Sequence, residues 1–492
     1  MNTNYVKIAP SVLAALLMAG GISAGFAQTN TGVGTGALSS VTTGTYNSAF
    51  GYNAMYYDTT GGSNSAVGFQ SLINNTSGGA NSAVGVYTLY YNTTGNFNSA
   101  YGYQALAFNN AGSGNTAVGS YALLSNTTGN SNVATGQFAL ASNTTGVNNT
   151  ATGSNALYNT SNGAGNTADG SGALYSNTTG YRNSAVGSNA LYSNTTASYN
   201  GALGFYALYH NTTGAYNTGV GSQTLFTNTT GNNNSASGNY GLYSNMTGSD
   251  NVSAGVYALY RNTTGSWNTA SGFYALGFNT TGAGNIALGP YAGYNLTTGS
   301  NNIDIGSRGV AAETAVIRIG TPGVQHATYL AGVSGVNVTG GTTVVVNSSG
   351  QLGVMSSSIR YKKDIRSMGD VSDRLLKLRP VTFRYKQADE SGQTPEQYGL
   401  IAEEVARVMP ELVVYNNKGQ PETVAYQTLA PLLLNELQKE HKQVMAQAHA
   451  MNSQQADINA LRAEVLELRR ITAALAQSRA DDTPPTVQHL SH

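Results

Sequence analysis

The sequence predicts a mainly β protein, in which a parallel β-solenoid of 17-residue repeats is followed by a small α+β domain and a C-terminal coiled coil. Three observations lead to this prediction. Glycine recurs with a 17-residue period from Gly34 to Gly306, most charged residues follow Ser356, and apolar residues with heptad spacing follow Tyr426. We therefore expect two regions of different physical character in one chain.

The repeat reads G-x-x-A-L-x-x-N-T-T-G-x-x-N-T-A-V, and residues 170–186 match it with one change, Ser184 in place of Thr. A repeat of this length is too short for a helical hairpin, which needs about 34 residues, and Asn, Thr and Gly are poor helix formers. N-T-T-G is typical of a turn. We predict that residues 28–306 form solenoid coils with two short strands each, one through N-T-A-V-G and one through Y-A-L-Y.

The charge distribution separates the repeats from the rest of the chain. The sequence has 22 basic and 22 acidic residues, and neither region is basic enough to indicate nucleic-acid binding. The charged residues between Gly34 and Gly306 are Asp58, Asp169, Asp250, Asp304, Arg182 and Arg261. Because these carboxylates are scattered, an enzyme acting on other molecules is disfavoured, and no metal, nucleotide or other cofactor is expected.

Each repeat contains few apolar residues. Leu106, Leu123 and their equivalents, together with Val and Ala, give little apolar surface to offset the entropy of ordering a whole coil. We therefore expect three chains to share one axial core that buries their Leu and Val edges, as a homotrimer. Sixteen steps of roughly 4.8 Å would give a rod of about 77 Å.

Rows of Asn, Thr and Tyr would cover this rod and could bind a glycan or a cell surface. The same residues would also serve as ladder and turn material, so both interpretations stay open. Ice binding is disfavoured because Thr lies beside turn glycines rather than in T-x-T strands. The tyrosines concerned include Tyr101, Tyr121, Tyr206, Tyr209, Tyr257 and Tyr274.

Residues 1–27 have the pattern of a secretory signal peptide. Lys7 is basic, Ile8 to Ala24 is apolar, and Gly25-Phe26-Ala27 suits a cleavage site. A short membrane anchor is the alternative. Secretion or a place at the bacterial cell surface is expected. After the repeats, residues 307–355 are expected to form a β neck of short strands separated by glycine turns.

Residues 356–428 have the pattern of a folded α+β domain, and residues 429–479 that of a coiled-coil helix. A helix packed on its own domain is the alternative for the second segment. Residues 480–492 are polar and expected to be disordered. The heptad a positions are Ala430, Leu437, Val444, Met451, Ile458, Val465 and Thr472, and the d positions are Leu433, Glu440, Gln447, Gln454, Leu461, Leu468 and Leu475.

Two resemblances accompany these patterns. The tandem N-[ST]-A-V-G elements resemble the head repeats of trimeric autotransporter adhesins, which form trimeric left-handed parallel β-rolls. The C-terminal region resembles the intramolecular chaperone domain of phage tail fibres and endosialidases, the S74 peptidase family. The second resemblance is carried by S-S-I-R-Y-K-K-D-I at 357–365, L-R-P-V-T-F-R-Y at 378–385, Y-G-L-I-A-E-E-V at 398–405 and V-A-Y at 424–426.

The S74 resemblance implies a self-cleaving Ser-Lys dyad. It points to Ser357 and Lys362, with the cut between Ser356 and Ser357; Ser358 is the alternative nucleophile. A serine hydroxyl needs a base, and a lysine amine can serve when burial lowers its pKa. The resemblance also implies a domain that trimerises the fibre and then releases itself by a single turnover.

The repeats give an independent reason for such a domain. Sliding one chain by a whole repeat changes few contacts, so register is weakly specified, and parallel non-local pairing folds slowly. An aligning domain would bring three chains into register. The sequence therefore predicts a secreted or surface fibre of the adhesin type. A phage-type tail fibre and a non-cleaving structural surface protein are the alternatives.

Overall fold

The computed structural model describes residues 30–333, 339–347, 349–388, 392–416 and 418–481. The predicted signal peptide and most of the predicted disordered tail lie outside these residues. Two compact units are present. The first contains the repeats up to Gly341, together with Asn347–Gln351. The second contains Thr342–Val346 and the chain from Leu352 onward.

The first unit is a parallel β-solenoid with one three-residue strand per coil. Its strands are β1 (Thr31–Val33), β2 (Ser48–Phe50), β3 (Ser65–Val67), β4 (Ser82–Val84), β5 (Ser99–Tyr101), β6 (Thr116–Val118), β7 (Val133–Thr135), β8 (Thr150–Thr152), β9 (Thr167–Asp169), β10 (Ser184–Val186), β11 (Gly201–Leu203), β12 (Thr218–Val220), β13 (Ser235–Ser237), β14 (Val252–Ala254), β15 (Thr269–Ser271), β16 (Ile286–Leu288), β17 (Ile303–Ile305) and β18 (Ile317–Ile319).

All 18 strands form one sheet in chain order. From β1 to β17, each residue pairs with its equivalent in the next coil, as Thr116 does with Val133. The parallel β-solenoid that the glycine period predicts is thus confirmed. The sheet continues past Gly306, the expected end of the repeats, because β18 adds a last rung in which Ile303 pairs with Ile317.

The second strand expected in each coil is not formed. With the recurring glycine numbered as position 1 of each coil, positions 3 and 5 have left-handed backbone, as at Tyr87 (φ 58°) and Leu89 (φ 50°). Since a β-strand requires negative φ at every residue, this segment cannot be a strand. Its amides still bond to neighbouring coils, with Tyr87 donating to Phe69 and Leu89 to Ala105.

The apolar core lies inside each chain. The Leu at position 5 and the Ala at positions 4 and 16 stack into one continuous cluster and are almost all fully buried, as Leu106, Leu123 and Ala117 are at 0% exposure. The expectation that three chains bury the Leu edges between them is therefore wrong. The turn-like backbone at position 5 points the Leu side chain into the interior of its own chain. Composition alone could not predict this direction.

Two columns of buried asparagine run beside this core, at positions 8 and 14. At position 14, Asn115 Nδ2 donates to Asn98 Oδ1 (3.2 Å) and to the Gly129 carbonyl (2.8 Å). At position 8, Asn126 Nδ2 donates to Asn109 Oδ1 (2.7 Å) and also to Gly129 (3.0 Å). Each coil is thus tied to its neighbours by buried amides that have partners, as burial requires.

The glycine at position 1 is required by close backbone approach. Gly102 has φ +135°, and a Cβ there would lie 2.6 Å from the Gly119 carbonyl oxygen. That conformation is essentially restricted to glycine. The 17-residue glycine period therefore records a line along which the backbones of successive coils lie in close contact.

Four residues depart from asparagine in the position-8 column, beginning with Val41 in the first coil. Asp58 stands near its start, Thr160 within it and Leu296 at its end. Neither Thr160 nor Leu296 has an amide to donate to the preceding coil. Asn143 Oδ1 and Asn279 Oδ1 are therefore left without a partner among the described residues.

Two buried carboxyl groups lie near the ends of the solenoid. Asp58 accepts from Asn75 Nδ2 (2.8 Å) and Asn47 Nδ2 (3.2 Å), and burial raises its pKa to about 7. In the penultimate strand, burial and then the charge of Glu313 raise the pKa of Asp304 to about 6. Both groups are therefore protonated in the folded chain at a higher pH than an exposed aspartate would be.

Tyrosines at positions 3 and 6 stack along the axis. Tyr158, Tyr175 and Tyr192 have ring centroids 5.2 and 4.9 Å apart and nearly parallel planes. Tyr257 and Tyr274 stack at 4.6 Å. Because these rings cover one another's faces, they form stacked ladders between successive coils. This is the structural role that the sequence left open as an alternative to ligand binding.

The second unit begins with short elements and ends in a long helix. Its strands are β19 (Val345–Val346), β20 (Leu352–Gly353), β21 (Val381–Phe383), β22 (Gln397–Gly399), β23 (Val413–Tyr415) and β24 (Pro421–Val424), which pair as three antiparallel hairpins. Its 3₁₀ helices are Ile359–Tyr361, Gly369–Lys377, Pro410–Leu412 and Tyr426–Thr428, and its α-helices are α1 (Ala402–Val408) and α2 (Leu429–Asp481). Within the segment 307–355, expected to form a β neck of short strands, residues 327–332 form no strand.

Only the start of α2 packs on its own domain. Leu432 is 8% exposed and lies in the domain core. Beyond residue 440, the apolar a and d side chains are open, with Val444 59%, Leu461 58% and Leu468 62% exposed. Only the first turns of α2 therefore fit the alternative of a helix packed on its own domain.

Replacing one buried amide tests the asparagine columns. Asn115→Ala should lower the free energy of unfolding by about 1–3 kcal/mol, because the Gly129 carbonyl and the Asn132 amide lose partners in a buried site. Hydrogen exchange of the flanking coils would measure this. Thr128→Ala, at an exposed position, is the control and should change little; equal effects would contradict the proposed importance of the column.

The buried carboxyls predict a pH dependence. In the unfolded chain the pKa of an aspartate is about 3.8, and the pKa of both carboxyls is higher in the folded chain. Their contribution to the free energy of unfolding is therefore fully present below pH 4 and is lost as pH rises through about 6 and 7. Chemical denaturation from pH 4 to 8 should show this loss. Asp58→Asn should flatten the profile, whereas Asp169→Asn, an exposed change, should leave it intact. A wild-type stability that rises over this range would refute the assignment.

Candidate functional site

A tight turn at the start of the second unit brings the two predicted site residues together. The 3₁₀ helix Ile359–Tyr361 reverses the chain, and the Lys362 amide closes it by donating to the Ile359 carbonyl. As a result, Lys362 Nζ lies 3.5 Å from Ser357 Oγ, although the two residues are not adjacent in sequence. This distance is long for a hydrogen bond but within reach of one by a small side-chain movement.

Ser358 has a different role in the same turn. It is the N-cap residue, and its Oγ accepts from the Arg360 amide (3.3 Å) and from Arg360 Nε (3.2 Å). Serine is a preferred N-cap residue for this reason. Of the two candidate nucleophiles, Ser357 thus faces the lysine and Ser358 is used by the turn.

Ser356 and Lys362 are exposed in the single chain, and so is Ser357. A lysine amine becomes a base when it is desolvated or placed beside another cation. The turn brings Ser357 and Lys362 close together. Desolvation of the lysine would have to come from groups outside the turn. The arrangement can therefore bring a nucleophile and a base together, and a reaction between them would require that the lysine be desolvated.

A small core fixes the domain that carries this turn. Val405 and Met409, at α1 and its C-terminal end, pack with Leu432 of α2, and all three are at least nine-tenths buried in one cluster. Tyr426 Oη accepts from the Leu400 amide (2.9 Å), which ties the start of the long helix to the end of β22.

An exposed ion pair lies on the same domain. Arg379 forms a two-pronged contact with Glu404, which lowers the pKa of that carboxyl. The pair joins the segment before β21 to the first turn of α1.

A polar cluster that sequence reasoning missed pins α2 to the 3₁₀ helix Gly369–Lys377. Buried Ser372 bonds to Glu436 and Asn435, and Lys439 pairs with Asp373 and with Glu436 (3.0 Å). The two elements lie far apart in the chain. No local spacing could have indicated these contacts, since only the fold brings the residues together.

An apolar groove of about 520 Å³ lies on the same unit. Its lining includes Leu375, Leu378, Pro380, Tyr398 and Leu433. Tyr398 and Leu433 remain 79% and 58% exposed at its edge. The apolar a and d side chains of α2 beyond residue 440 form a second exposed surface, here called the open stripe of α2. This groove and the open stripe of α2 are apolar surfaces of the kind that marks interaction sites.

Among the described residues there is no cluster of three acidic, His or Cys side chains placed to hold a metal ion. Within that same part of the chain, no helix is long and apolar enough to cross a membrane.

The C-terminal segment matches a known family. Residues 357–414 match the peptidase S74 family model, described as chaperone of endosialidase. A search of curated proteins and a search of solved structures give no match. The matched segment begins at Ser357, follows the solenoid in the chain, and contains both residues of the candidate dyad. This chain thus carries, after its β-solenoid, a C-terminal segment that matches the S74 chaperones of endosialidase.

Proposed function

We propose that this protein is a secreted or cell-surface trimeric fibre of the adhesin type, whose C-terminal chaperone domain aligns three chains and then cleaves itself off. The observation that carries this proposal is the S74 match beginning at Ser357, with Lys362 Nζ 3.5 Å from Ser357 Oγ. The solenoid supplies the fibre, and the domain supplies its assembly.

The solenoid's own geometry supports the need for alignment. The strand pairing and the amide columns repeat with equivalent partners in coil after coil. A nucleus that starts one coil out of place therefore meets almost the same contacts. A domain without repeats, such as residues 357–414, can fix a register that the coils do not.

Apolar surfaces on both units support association of identical chains. On α2 the apolar a and d side chains from Val444 to Leu475 lack a partner in the single chain, as heptad helices do before they assemble. On the solenoid, the apolar side chains at positions 17 and 2 between β2 and β6 form a stripe that is 37% to 49% exposed. This stripe includes Phe50, Tyr52, Val67, Phe69, Val84, Val86, Tyr101, Tyr103 and Val118.

The proposed cleavage is an acyl shift followed by hydrolysis. Lys362 Nζ, in its neutral form, takes the Ser357 hydroxyl proton while Oγ attacks the Ser356 carbonyl carbon. The bond from that carbon to the Ser357 amide nitrogen breaks, the nitrogen gains the proton, and an ester remains. Water then hydrolyses the ester, which leaves a carboxylate on Ser356 and a free amine and hydroxyl on Ser357.

Assembly would link this chemistry to folding. A solvated lysine is almost entirely protonated near neutral pH, and covering by other copies would desolvate Lys362 and favour its neutral form. Cleavage would then follow alignment, and loss of the aligner would leave the fibre kinetically stable. A non-cleaving fibre is the second candidate, favoured by the exposure of both side chains.

Mass spectrometry of the expressed full chain tests cleavage. We expect a fragment that runs from Ser357 to His492. Ser357→Ala and Lys362→Ala should each abolish it, whereas Ser358→Ala should leave the fragment and only weaken a helix cap by about 1 kcal/mol. An uncut wild type, or cleavage lost only in Ser358→Ala, would contradict the dyad.

The open stripe of α2 predicts a coupling between assembly and cleavage. Leu461→Gln with Leu468→Gln places polar groups at two d positions and should shift the uncut Ser357→Ala chain from trimer to monomer in light scattering. In a chain with Ser357 intact, the same pair should also reduce cleavage. Arg462→Gln with Arg469→Gln, off the stripe, is the control. A trimer that survives the Leu changes would place the interface elsewhere.

A further inference from the structure

Position 13 of six successive coils carries a row of large polar and aromatic side chains. Its residues are Arg182, Tyr199, Tyr216, Asn233, Asp250 and Trp267. We propose that this row, here called the position-13 track, is a glycan-binding site that takes an extended oligosaccharide with a carboxylated sugar at the Arg182 end. The inference rests on the proposed role of the solenoid as a surface fibre and gives that fibre a ligand.

The track concentrates residue types that are rare in the repeats. Trp267 is the one Trp of the sequence, and Arg182 and Asp250 are two of the few charged residues between the first and last repeat. Tyr46 and Phe97 are isolated aromatic residues at the same position. In the remaining coils this position carries neither a charge nor an aromatic ring, with Ser63, Ala80, Gly114, Ser131, Asn148, Gly165, Gly284 and Asn301.

Backbone geometry does not require these side chains. Position 13 is left-handed along the track, with φ 53° at Arg182, 61° at Tyr199 and 57° at Trp267. Glycine and asparagine suit that conformation, and bulky side chains there are uncommon. Five of the six are exposed, with Tyr216 59% and Trp267 68% exposed, and Tyr199 is half-buried. The core and the turn do not require the aromatic and charged side chains of this row, since other coils form the same turn with Gly, Ala or Ser at position 13, so a role at the surface is the better explanation.

The Arg182 end is an ordered cluster of aromatic rings and one guanidinium. Arg182 Nη1 donates to Tyr199 Oη (3.0 Å), and its guanidinium lies 5.6 Å from the Tyr199 ring centroid. Tyr216 stacks on Tyr199 at 4.9 Å, and Tyr181 meets Tyr199 edge to face at 5.2 Å. Arg182 has no ion pair within the described ranges, so its charge is available to an anionic group.

The far end supplies amide and carboxylate groups beside an open ring. Asn233 Nδ2 donates to Asp250 Oδ1 (3.1 Å), which fixes both side chains. The second carboxylate oxygen can accept from a hydroxyl. Trp267 follows in the next coil and presents the largest aromatic surface of the track. Five steps of roughly 4.8 Å make the track about 24 Å long.

Saccharide chemistry fits this combination. Sugar rings offer apolar C–H faces that gain by packing on exposed aromatic rings, and their hydroxyls pair with amides and carboxylates. A guanidinium binds a carboxylate with two parallel hydrogen bonds. Tyr199 and Tyr216 stack on each other as the tyrosines at positions 3 and 6 do. What distinguishes the track is that the Arg182 guanidinium, the Asp250 carboxylate and the exposed Trp267 ring lie in one row.

Binding of the full chain to an immobilised panel of neutral, uronate-bearing and sialate-bearing oligosaccharides tests the proposal. Trp267→Ala and Tyr216→Ala should each weaken binding by about tenfold or more. Arg182→Ala should weaken binding to carboxylated members by about tenfold and leave neutral ones less affected. Phe97→Ala is the matched control, since Phe97 occupies position 13 in a coil outside the track and is 71% exposed.

Several results would overturn the proposal. The first is that no saccharide on the panel binds. The second is that Phe97→Ala weakens saccharide binding as much as the changes in the track do. The third is that no saccharide binds but a protein binds saturably, and that this binding survives Trp267→Ala and Tyr216→Ala. All four changes are at the surface, so circular dichroism should be unaltered. Cleavage at Ser357 and oligomeric state should also be unaltered, which separates failure of this site from failure of the proposed assembly.

Discussion

Closure of each coil through buried asparagine amides is the constraint on which the rest of this structure depends. An amide at position 14 donates both to the preceding asparagine and to a glycine carbonyl of the following turn, and one at position 8 shares that carbonyl. A buried amide without partners is costly. The coil length is therefore fixed, because inserting or deleting a single residue would break both columns.

The same constraint creates the problem that, in the proposed function, the C-terminal domain addresses. Contacts that are equivalent in every coil stabilise the folded rod but hold little information about which coil should meet which. Residues 357–414 have no such repetition, and their S74 likeness is to chaperones of endosialidase. Uniform contacts in the solenoid and distinctive contacts in the proposed aligning domain are complementary properties. The rod's surface, which the amide columns leave unconstrained, is free to carry a ligand.

The repeat period, the long helix and the α+β elements could be predicted from the sequence because each depends on local spacing. The glycine period predicted parallel pairing between successive repeats, and the heptads after Tyr426 predicted α2. The inward position of Leu106 and its equivalents could not be predicted, because it depends on left-handed backbone at position 5 that Leu does not favour. The expected Y-A-L-Y strand and the shared Leu core failed for this one reason.

For the candidate site, family likeness points to Ser357 and Lys362, and the structure adds contacts that sequence spacing could not predict. A Ser358 side chain used as a helix cap distinguishes the two serines. The cluster of Ser372, Glu436 and Lys439 joins residues too distant in sequence to be predicted. The most direct test of this account is the native mass of the solenoid particle that remains after the fragment beginning at Ser357 has been removed. Three copies of the part before Ser357 held together would agree with it, and a stable single-copy solenoid would contradict it.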